Sequence, residues 1–314
     1  MVTYFDSFAD HLDFSLFSWY PRPHCDMMIS TMIRIDGKAI AQQLRASIAK
    51  QVQELHAQGM VVSLAVILVG NDKPSHSYVK QKELAAKECG IVFTRYEFPE
   101  TITQQALLKE ITNIQQQAPS GLIVQLPLPA HIDTQQILNA IDPDRDVDCL
   151  TDIQMQRLAQ GDLRLLPPTP GAICSILEAL GMSFTNKTVA IFGHGVLVGK
   201  PMALIARHQG ARVFVIDSTT DHPEKISTQA DIIISGVGKK HLINAGMVKK
   251  DAIIIDAGVD YDENGNMYGD VDIESVAALA AYVTPTPGGV GPVTVARLLL
   301  NTLHCGKQRQ KKSG

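Results

Sequence analysis

Short apolar runs of strand length alternate along this chain with stretches of helical periodicity, and that rhythm restricts the fold more than any other feature. Val61 to Val69 is an apolar run that stops at Gly70, the pattern of a strand buried on both faces of a parallel sheet. Before it, from Lys38, Ile40, Leu44, Ile48, Val52 and Leu55 recur every three or four residues, a helix stopped by Gly59. Pro74 opens a second helix that runs to Gly90. Ile91 to Phe98 then reads as strand, Gln104 to Gln117 as helix and Gly121 to Leu126 as another buried strand. Further on come a helix from Ala172 to Leu180 and strands at Thr188 to Phe192, Arg212 to Ile216, Asp231 to Ser235 and Ala252 to Asp256. Asn264-Gly265 suggests a hairpin turn, and the last helix is expected from Val293 to Leu303. Such alternation means an α/β layer structure with right-handed crossovers.

The 314 residues are enough for two domains. Charge and proline interrupt the pattern at Asp142 to Asp148 and again at Leu166 to Gly171. The expected division is 32–150 as a catalytic domain completed by 284–305, and 151–283 as a second domain. A basic tail, 306–314, reads as a solvated end. Residues 1–31 lack a basic start followed by an apolar stretch, and their acids argue against a transit peptide. Met27, Met28 or Met32 as natural start explains them more simply than a functional extension. A net charge of −4 gives no reason to expect nucleic acid or a membrane surface. No apolar run reaches the roughly 18 to 20 residues a bilayer span requires. The five cysteines are scattered and unpaired by motif, so no disulfide framework and no metal site is expected. That fits a reducing, cytoplasmic setting.

Two motifs carry chemistry. Val189 to Gly199 is strand, glycine turn and helix start in that order. Gly193 permits the turn, Gly195 lets backbone approach a pyrophosphate, and the helix N-terminus offers free N–H groups. Asp217, ending the next strand, stands where such sites hold ribose hydroxyls. A carboxylate there favours NAD and repels the 2′-phosphate of NADP, and His194 fills the loop position where an arginine would attract that phosphate. The second motif sets Ser75, Tyr78 and Lys82 on one helix face. Tyrosine and lysine one turn apart can handle protons if burial lowers the lysine pKa, although the pair alone better fits a solvated Lys82 beside a core Tyr78. Gln125 is the lone polar residue ending an apolar strand, where open α/β sheets build their sites.

Tyr78-xxx-Lys82, Gln125-Leu-Pro-Leu-Pro129, Asp146-Val-Asp148, the turn Pro168-Thr-Pro-Gly171, the run Gly193 to Met202, Gly269-Asp-Val-Asp272 and Pro287-Gly-Gly-Val-Gly-Pro292 follow one another in the chain. The ordered set resembles the bifunctional methylenetetrahydrofolate dehydrogenase/methenyltetrahydrofolate cyclohydrolase family, over about Met32 to Leu303. The resemblance implies an N-terminal three-layer α/β catalytic domain, a Rossmann domain, and a C-terminal helix returning to the first domain. It implies oxidation of 5,10-methylenetetrahydrofolate to the methenyl form and hydrolysis of that to 10-formyltetrahydrofolate, both in one cleft. Lys82 would activate water or shuttle the proton, with Gln125 bonded to it and helping keep its amine neutral. Tyr78 would stack on or orient the folate, supported by Ser75, and Asp148 would anchor the pterin ring. The remaining substrate contacts implied are Leu126, Pro127, Pro287, Gly288 and Gly289. The dinucleotide contacts implied are Thr169, Gly193, His194, Gly195, Val198, Gly199, Asp217, Ser218, Ser235, Val237, Gly238, Gly258 and Val259. A homodimer paired through the Rossmann domain is also implied.

Four positions depart from the family pattern. Cys149 replaces a usual glycine and is expected to reshape the pterin pocket, while Pro168 replaces a cysteine harmlessly. Gly193-His-Gly195 and Asp217-Ser-Thr-Thr220 replace the segments that bind the NADP phosphate, so family habit says NADP and these residues say NAD. A dehydrogenase-only member and an inactive folate- or nucleotide-binding regulatory paralogue are the alternatives, the second opposed by intact Tyr78, Lys82, Gln125 and Asp148. A generic hydroxy-acid or amino-acid dehydrogenase would explain the glycine loop but not Gln125 to Pro129.

Overall fold

The computed structural model describes residues 32–313, so the expectations about residues 1–31 lie outside the described residues. In chain order, β1 (Ile33–Arg34) and α1 (Gly37–Ala57) precede β2 (Ser63–Val69), α2 (Lys73–Glu88), β3 (Val92–Phe98), α3 (Gln104–Gln116) and β4 (Gly121–Val124). Two short helices, α4 (Thr134–Asn139) and α5 (Asp152–Ala159), lead to α6 (Pro168–Ala179). There follow β5 (Thr188–Phe192), α7 (Gly199–His208), β6 (Arg212–Ile216), α8 (Pro223–Ser227), β7 (Ile232–Ser235) and β8 (Ile253–Asp256). The hairpin of β9 (Asp260–Tyr261) and β10 (Met267–Tyr268) turns at Asn264-Gly265, and α9 (Ile273–Val276), β11 (Tyr282–Val283) and α10 (Val290–Ser313) complete the chain. Among the described residues no helix is long and apolar enough to cross a membrane.

Two compact units result. One contains Gln42–Pro168 and 295–313. Its sheet runs β3-β2-β4, all parallel, with Val66 of β2 opposite Arg95 on one side and Ile123 on the other. Ala65, Ile67 and Val69 point alternately from β2 into a core shared with Leu107, Ile111 and Ile114, the apolar stripe of α3. The C-terminal helix packs here. Asn301 Nδ2 donates to Val147 O and Leu166 O, both at 2.8 Å, and Lys307 Nζ donates to Gln51 Oε1 of α1 at 2.6 Å. Arg309 donates to Ala118 O and Pro119 O at 2.6 and 2.7 Å. The basic tail is therefore no loose solvated end at Lys307 and Arg309: it continues α10 and ties down free carbonyls just past α3.

The other unit contains 32–41 and Thr169–Thr294. Its six parallel strands run β1-β11-β8-β7-β5-β6. From β5 the chain steps outward to β6 and then back across to β7, so the strand order reverses at β5. A crevice opens at the carboxyl ends of strands at such a reversal, which is where doubly wound sheets bind ligands.

The boundaries differ from the expected 150/151 and 283/284. Ile33 and Arg34 pair with Tyr282 and Val283, so the first strand joins the sheet of the dinucleotide-type unit. Two-residue strands paired across some 250 positions leave no periodic trace. Likewise α6 begins at Pro168, inside the segment expected to interrupt the pattern, and α10 begins at Val290 with Pro292 in its first turn. Proline is tolerated at those positions because first-turn N–H groups have no intrahelical acceptor.

Candidate active site

The lysine helix is fixed at its start. Asp72 caps α2, its Oδ2 accepting from Ser75 N at 2.9 Å and from Ser75 Oγ at 2.6 Å. Asp72, which the motif reading passed over, shows its role in sequence as a cap residue two before Pro74. The Ser75 hydroxyl also lies 3.4 Å from Leu126 O, so helix start and strand end are held together. One turn on, Tyr78 is 37% exposed and Lys82 is half-buried, the reverse of a packed tyrosine beside a solvated lysine.

Lys82 Nζ donates to Gln125 Oε1 at 2.9 Å. Gln125 extends the β4 ladder through its own N–H to Ile67 O, and its Nε2 donates to Leu126 O at 2.8 Å. That second bond orients the amide with its oxygen toward Lys82. Burial pushes the Lys82 pKa below the ordinary lysine value, against a smaller opposing pull from Asp148. Gln125 accepts from the lysine and so orients it; desolvation is what favours the neutral amine. The Leu126–Pro127 peptide is cis.

Asp146 and Asp148 follow a loop bridged to β4 at Leu122. Asp146 is fully buried, its Oδ2 accepting from Thr151 N at 2.7 Å, and burial raises its carboxyl to about 6. Asp148 is half-buried; burial raises its pKa and the Lys82 charge pulls it back. Lys82 and Asp148 feel one another without meeting in an ion pair, and desolvation drives both toward their neutral forms. Cys149 sits at φ +57°, the left-handed region that favours glycine, with its thiol 2% exposed and its pKa raised well above the usual value by burial.

The other unit holds the remaining expected residues. Gly193 turns at φ +93°, and a Cβ on Gly199 would lie 2.0 Å from Gly193 O, so both glycines are needed for β5 to pass closely into α7. A Cβ on Gly195 would meet nothing within 4 Å, and Gly195 O accepts from Lys200 N at 3.0 Å in the first turn of α7. Val198 lines the adjoining loop, a Cβ on Gly236 lying 2.9 Å from its Cγ1. Asp217 directly follows β6 and is exposed, its Oδ1 accepting from Thr219 N at 2.9 Å, Thr219 Oγ1 at 2.7 Å and Thr220 Oγ1 at 3.3 Å. Those bonds, and more weakly the nearby His194, hold its pKa below the usual carboxylate value. Ser218 beside it is exposed, and Thr169 is half-buried in the first turn of α6. Ser235 ends β7 wholly buried, while Val237, Gly238, Gly258 and Val259 follow β7 and β8, Gly258 buried and Val237 and Val259 45% and 42% exposed. Glycine turn, helix start and strand-end carboxylate thus fit a dinucleotide.

Pro287, Gly288 and Gly289 lie in this same unit, not with Lys82. The Thr286–Pro287 peptide is cis and Gly288 sits at φ +103°. A Cβ on Gly37 would fall 1.8 Å from Gly289 O, so the start of α1 presses on this turn. Packing alone therefore demands part of the glycine motif.

Residues 35–148 match the family model of the tetrahydrofolate dehydrogenase/cyclohydrolase catalytic domain, and residues 167–310 match that of its NAD(P)-binding domain. The bifunctional protein FolD of Nautilia profundicola is 42% identical over 282 residues, covering 90% of this chain and 99% of the relative. The crystal structure of the Campylobacter jejuni bifunctional FolD dehydrogenase/cyclohydrolase superposes with a TM-score of 0.87 at 38% identity, covering 88% of this chain and 99% of that one. The Trypanosoma brucei dehydrogenase-cyclohydrolase, solved with NADP and an inhibitor, gives 0.85 at 33% identity, covering 90% and 99%.

Proposed function

The chain belongs to the tetrahydrofolate dehydrogenase/cyclohydrolase family, and from that premise we propose how its residues divide the two reactions. It is a bifunctional enzyme of one-carbon metabolism that oxidises 5,10-methylenetetrahydrofolate with NAD(P)+ and hydrolyses the methenyl product to 10-formyltetrahydrofolate. Lys82 is the proton-handling group. As a neutral amine it donates one N–H to Gln125 Oε1, which leaves its lone pair directed to take the proton of a water adding to the bridge carbon. The same group then returns a proton to the ring nitrogen that departs. The observation that carries this reading is the 2.9 Å Lys82–Gln125 contact in a desolvated setting beside Asp148. Asp148 anchors the pterin through its neighbouring N–H donors, which favour the charged carboxylate that burial alone disfavours. Ser75, Tyr78, Leu126 and Pro127 frame the substrate.

When bound, the nicotinamide accepts the hydride from the methylene carbon. The chain's part is to hold it: Gly193, Gly195 and the N-terminus of α7 for the pyrophosphate, Asp217 for the ribose. We infer NAD as the preferred dinucleotide. The support is Asp217 itself, whose Oδ1 is taken up by Thr219 and Thr220 while all the bonds converge on that one oxygen. Its charge opposes a 2′-phosphate, and His194 stands where an arginine would compensate. A homodimer through this unit is supported by β6, an edge strand with half-buried Val213, Phe214 and Val215; light scattering reads its mass. The activity test follows reduced cofactor and the methenyl species by absorbance, with 5,10-methylenetetrahydrofolate and either NAD or NADP. Faster turnover with NAD is the expected result. A clear NADP preference overturns the role given to Asp217 and His194, and no turnover with either overturns the enzyme assignment for this chain.

A further inference from the structure

Asp270 is wholly buried, and its carboxylate is the hub of the loop that follows β7. Its Oδ2 accepts from Ser235 Oγ at 2.5 Å and from Val237 N at 2.8 Å, and its Oδ1 accepts from Lys239 N at 2.7 Å. Alternate residues of one five-residue segment thus converge on a single side chain. The segment is wrapped tightly: Gly238 sits at φ +72°, and a Cβ on it would lie 3.1 Å from Val259 O. The loop after β8 closes on the same carboxylate, since a Cβ on Gly258 would fall 2.2 Å from Asp270. On its other side the wrapped segment meets the glycine turn, where a Cβ on Gly193 would lie 3.3 Å from Val237 Cγ2 and 3.4 Å from Gly236 O. Asp256 stands alongside, its oxygens accepting from Gly258 N and Val271 N, both at 3.0 Å. Three loops at the carboxyl ends of β5, β7 and β8 are therefore built around one buried acceptor that touches none of the surface itself.

We propose that Asp270 is the positioning residue of the dinucleotide site: by gathering the Ser235 hydroxyl and the Val237 and Lys239 amides, it sets the loops that receive the cofactor. This rests on reading that unit as the NAD(P) site. Three inward-pointing donors need an acceptor with two oxygens. An asparagine offers one oxygen and turns an N–H₂ against at least one donor, so the loop must re-form around a mismatch. The side-chain bonds of Asp270 lie within its own unit, and hydrolysis of the methenyl compound consumes no dinucleotide, so that rate is expected to be independent of it.

The test is the Asp270→Asn protein, with Ser235→Ala as a milder second variant that removes one of the three bonds and leaves both backbone donors satisfied. Dissociation constants for NAD+ and for NADP+ are measured by calorimetry, beside dehydrogenase kinetics and cyclohydrolase rates in the absence of dinucleotide. In D270N the expected result is a dissociation constant and dinucleotide KM raised at least tenfold, with kcat at saturation and the cyclohydrolase rate within about threefold of the parent. In S235A a smaller rise in the same direction is expected. A dissociation constant unchanged in D270N overturns the proposal, as does cyclohydrolase activity lost in step with dinucleotide binding, which would make Asp270 a residue of general folding. If the parent protein binds dinucleotide yet turns over no folate, the folate reading fails while the comparison of dissociation constants still decides the role of Asp270.

Discussion

Replacing Gln125 by glutamate puts a carboxylate where an amide oxygen now stands 2.9 Å from Lys82 Nζ, at nearly constant shape. The added attraction for an ammonium at that separation is about 3 to 6 kcal/mol for effective dielectric constants of roughly 40 to 20. Lys82 is half-buried, so the lower figure applies. About 3 kcal/mol favours the charged lysine by roughly a hundredfold. Burial now works in the opposite direction, lowering the Lys82 pKa. The neutral amine that takes the proton from water therefore becomes about a hundredfold scarcer at pH 7 in Gln125→Glu. Cyclohydrolase activity, followed as loss of methenyltetrahydrofolate absorbance and corrected for the uncatalysed rate at each pH, is expected to fall by that factor. The deficit should narrow as the pH rises past the lowered pKa of the parent Lys82 and the variant's amine is recovered. Gln125→Leu separates charge from orientation: it loses the hydrogen bond without adding charge, so its smaller loss should not recover at high pH. A Gln125→Glu rate within threefold of the parent at pH 7, or a deficit that stays constant across the range, refutes the neutral-amine reasoning.

Lys82→Met keeps the volume but removes the proposed base, and cyclohydrolase kcat should drop by about 10² to 10⁴; an unchanged rate assigns the proton transfer elsewhere. Asp217→Ser removes the charge at the end of β6, and the ratio of kcat/KM for NAD over NADP should shift toward NADP by roughly tenfold; a ratio that stays put or moves toward NAD rejects Asp217 as the discriminating residue. Stability should fall with rising pH because Asp146 and Asp256 are buried with carboxyls raised to about 6. A folded pKa above the unfolded 3.8 stabilises fully below about 4 and is lost as pH climbs through 6, up to about 3 kcal/mol for each group. The lowered carboxylates, such as Asp162 and Asp231, act only as pH falls toward 4 and leave that window untouched. Tm by scanning fluorimetry should therefore be about 5 °C or more higher at pH 5.0 than at 7.5, and a flat or rising Tm contradicts the burial argument.

The parts of this molecule legible in its sequence are those whose cause is local. β2 and β4 announce themselves because both faces are covered, α3 because its apolar stripe faces one sheet, and the turn from β5 into α7 because only glycine allows Gly199 so near Gly193 O. Lys82 and Gln125 were both visible as residues, but their contact spans 43 positions and is made by the parallel pairing of β2 and β4 rather than by any spacing. Strands β1 and β11 were invisible because each is two residues long and supported by a distant partner. Asp270 belonged to a quoted motif with no role attached. Its three donors lie more than 30 positions earlier, and nothing about Gly269-Asp-Val-Asp272 reveals that the first acid is wholly buried.

Cys149 shows how a departure from a family pattern is to be weighed once conformation is known. A side chain in place of glycine was expected to reshape the pterin pocket. At φ +57° the residue keeps the left-handed turn a glycine would make, at a cost of about 1 to 2 kcal/mol for a residue with a Cβ. The thiol is 2% exposed, and burial, with Asp146 and Cys305 adding to it, raises its pKa so that it stays protonated. Burying a small apolar side chain returns about 1 kcal/mol, which offsets much of that strain. The Cys149 side chain is thus directed into the packing, from a backbone in the left-handed region that glycine favours.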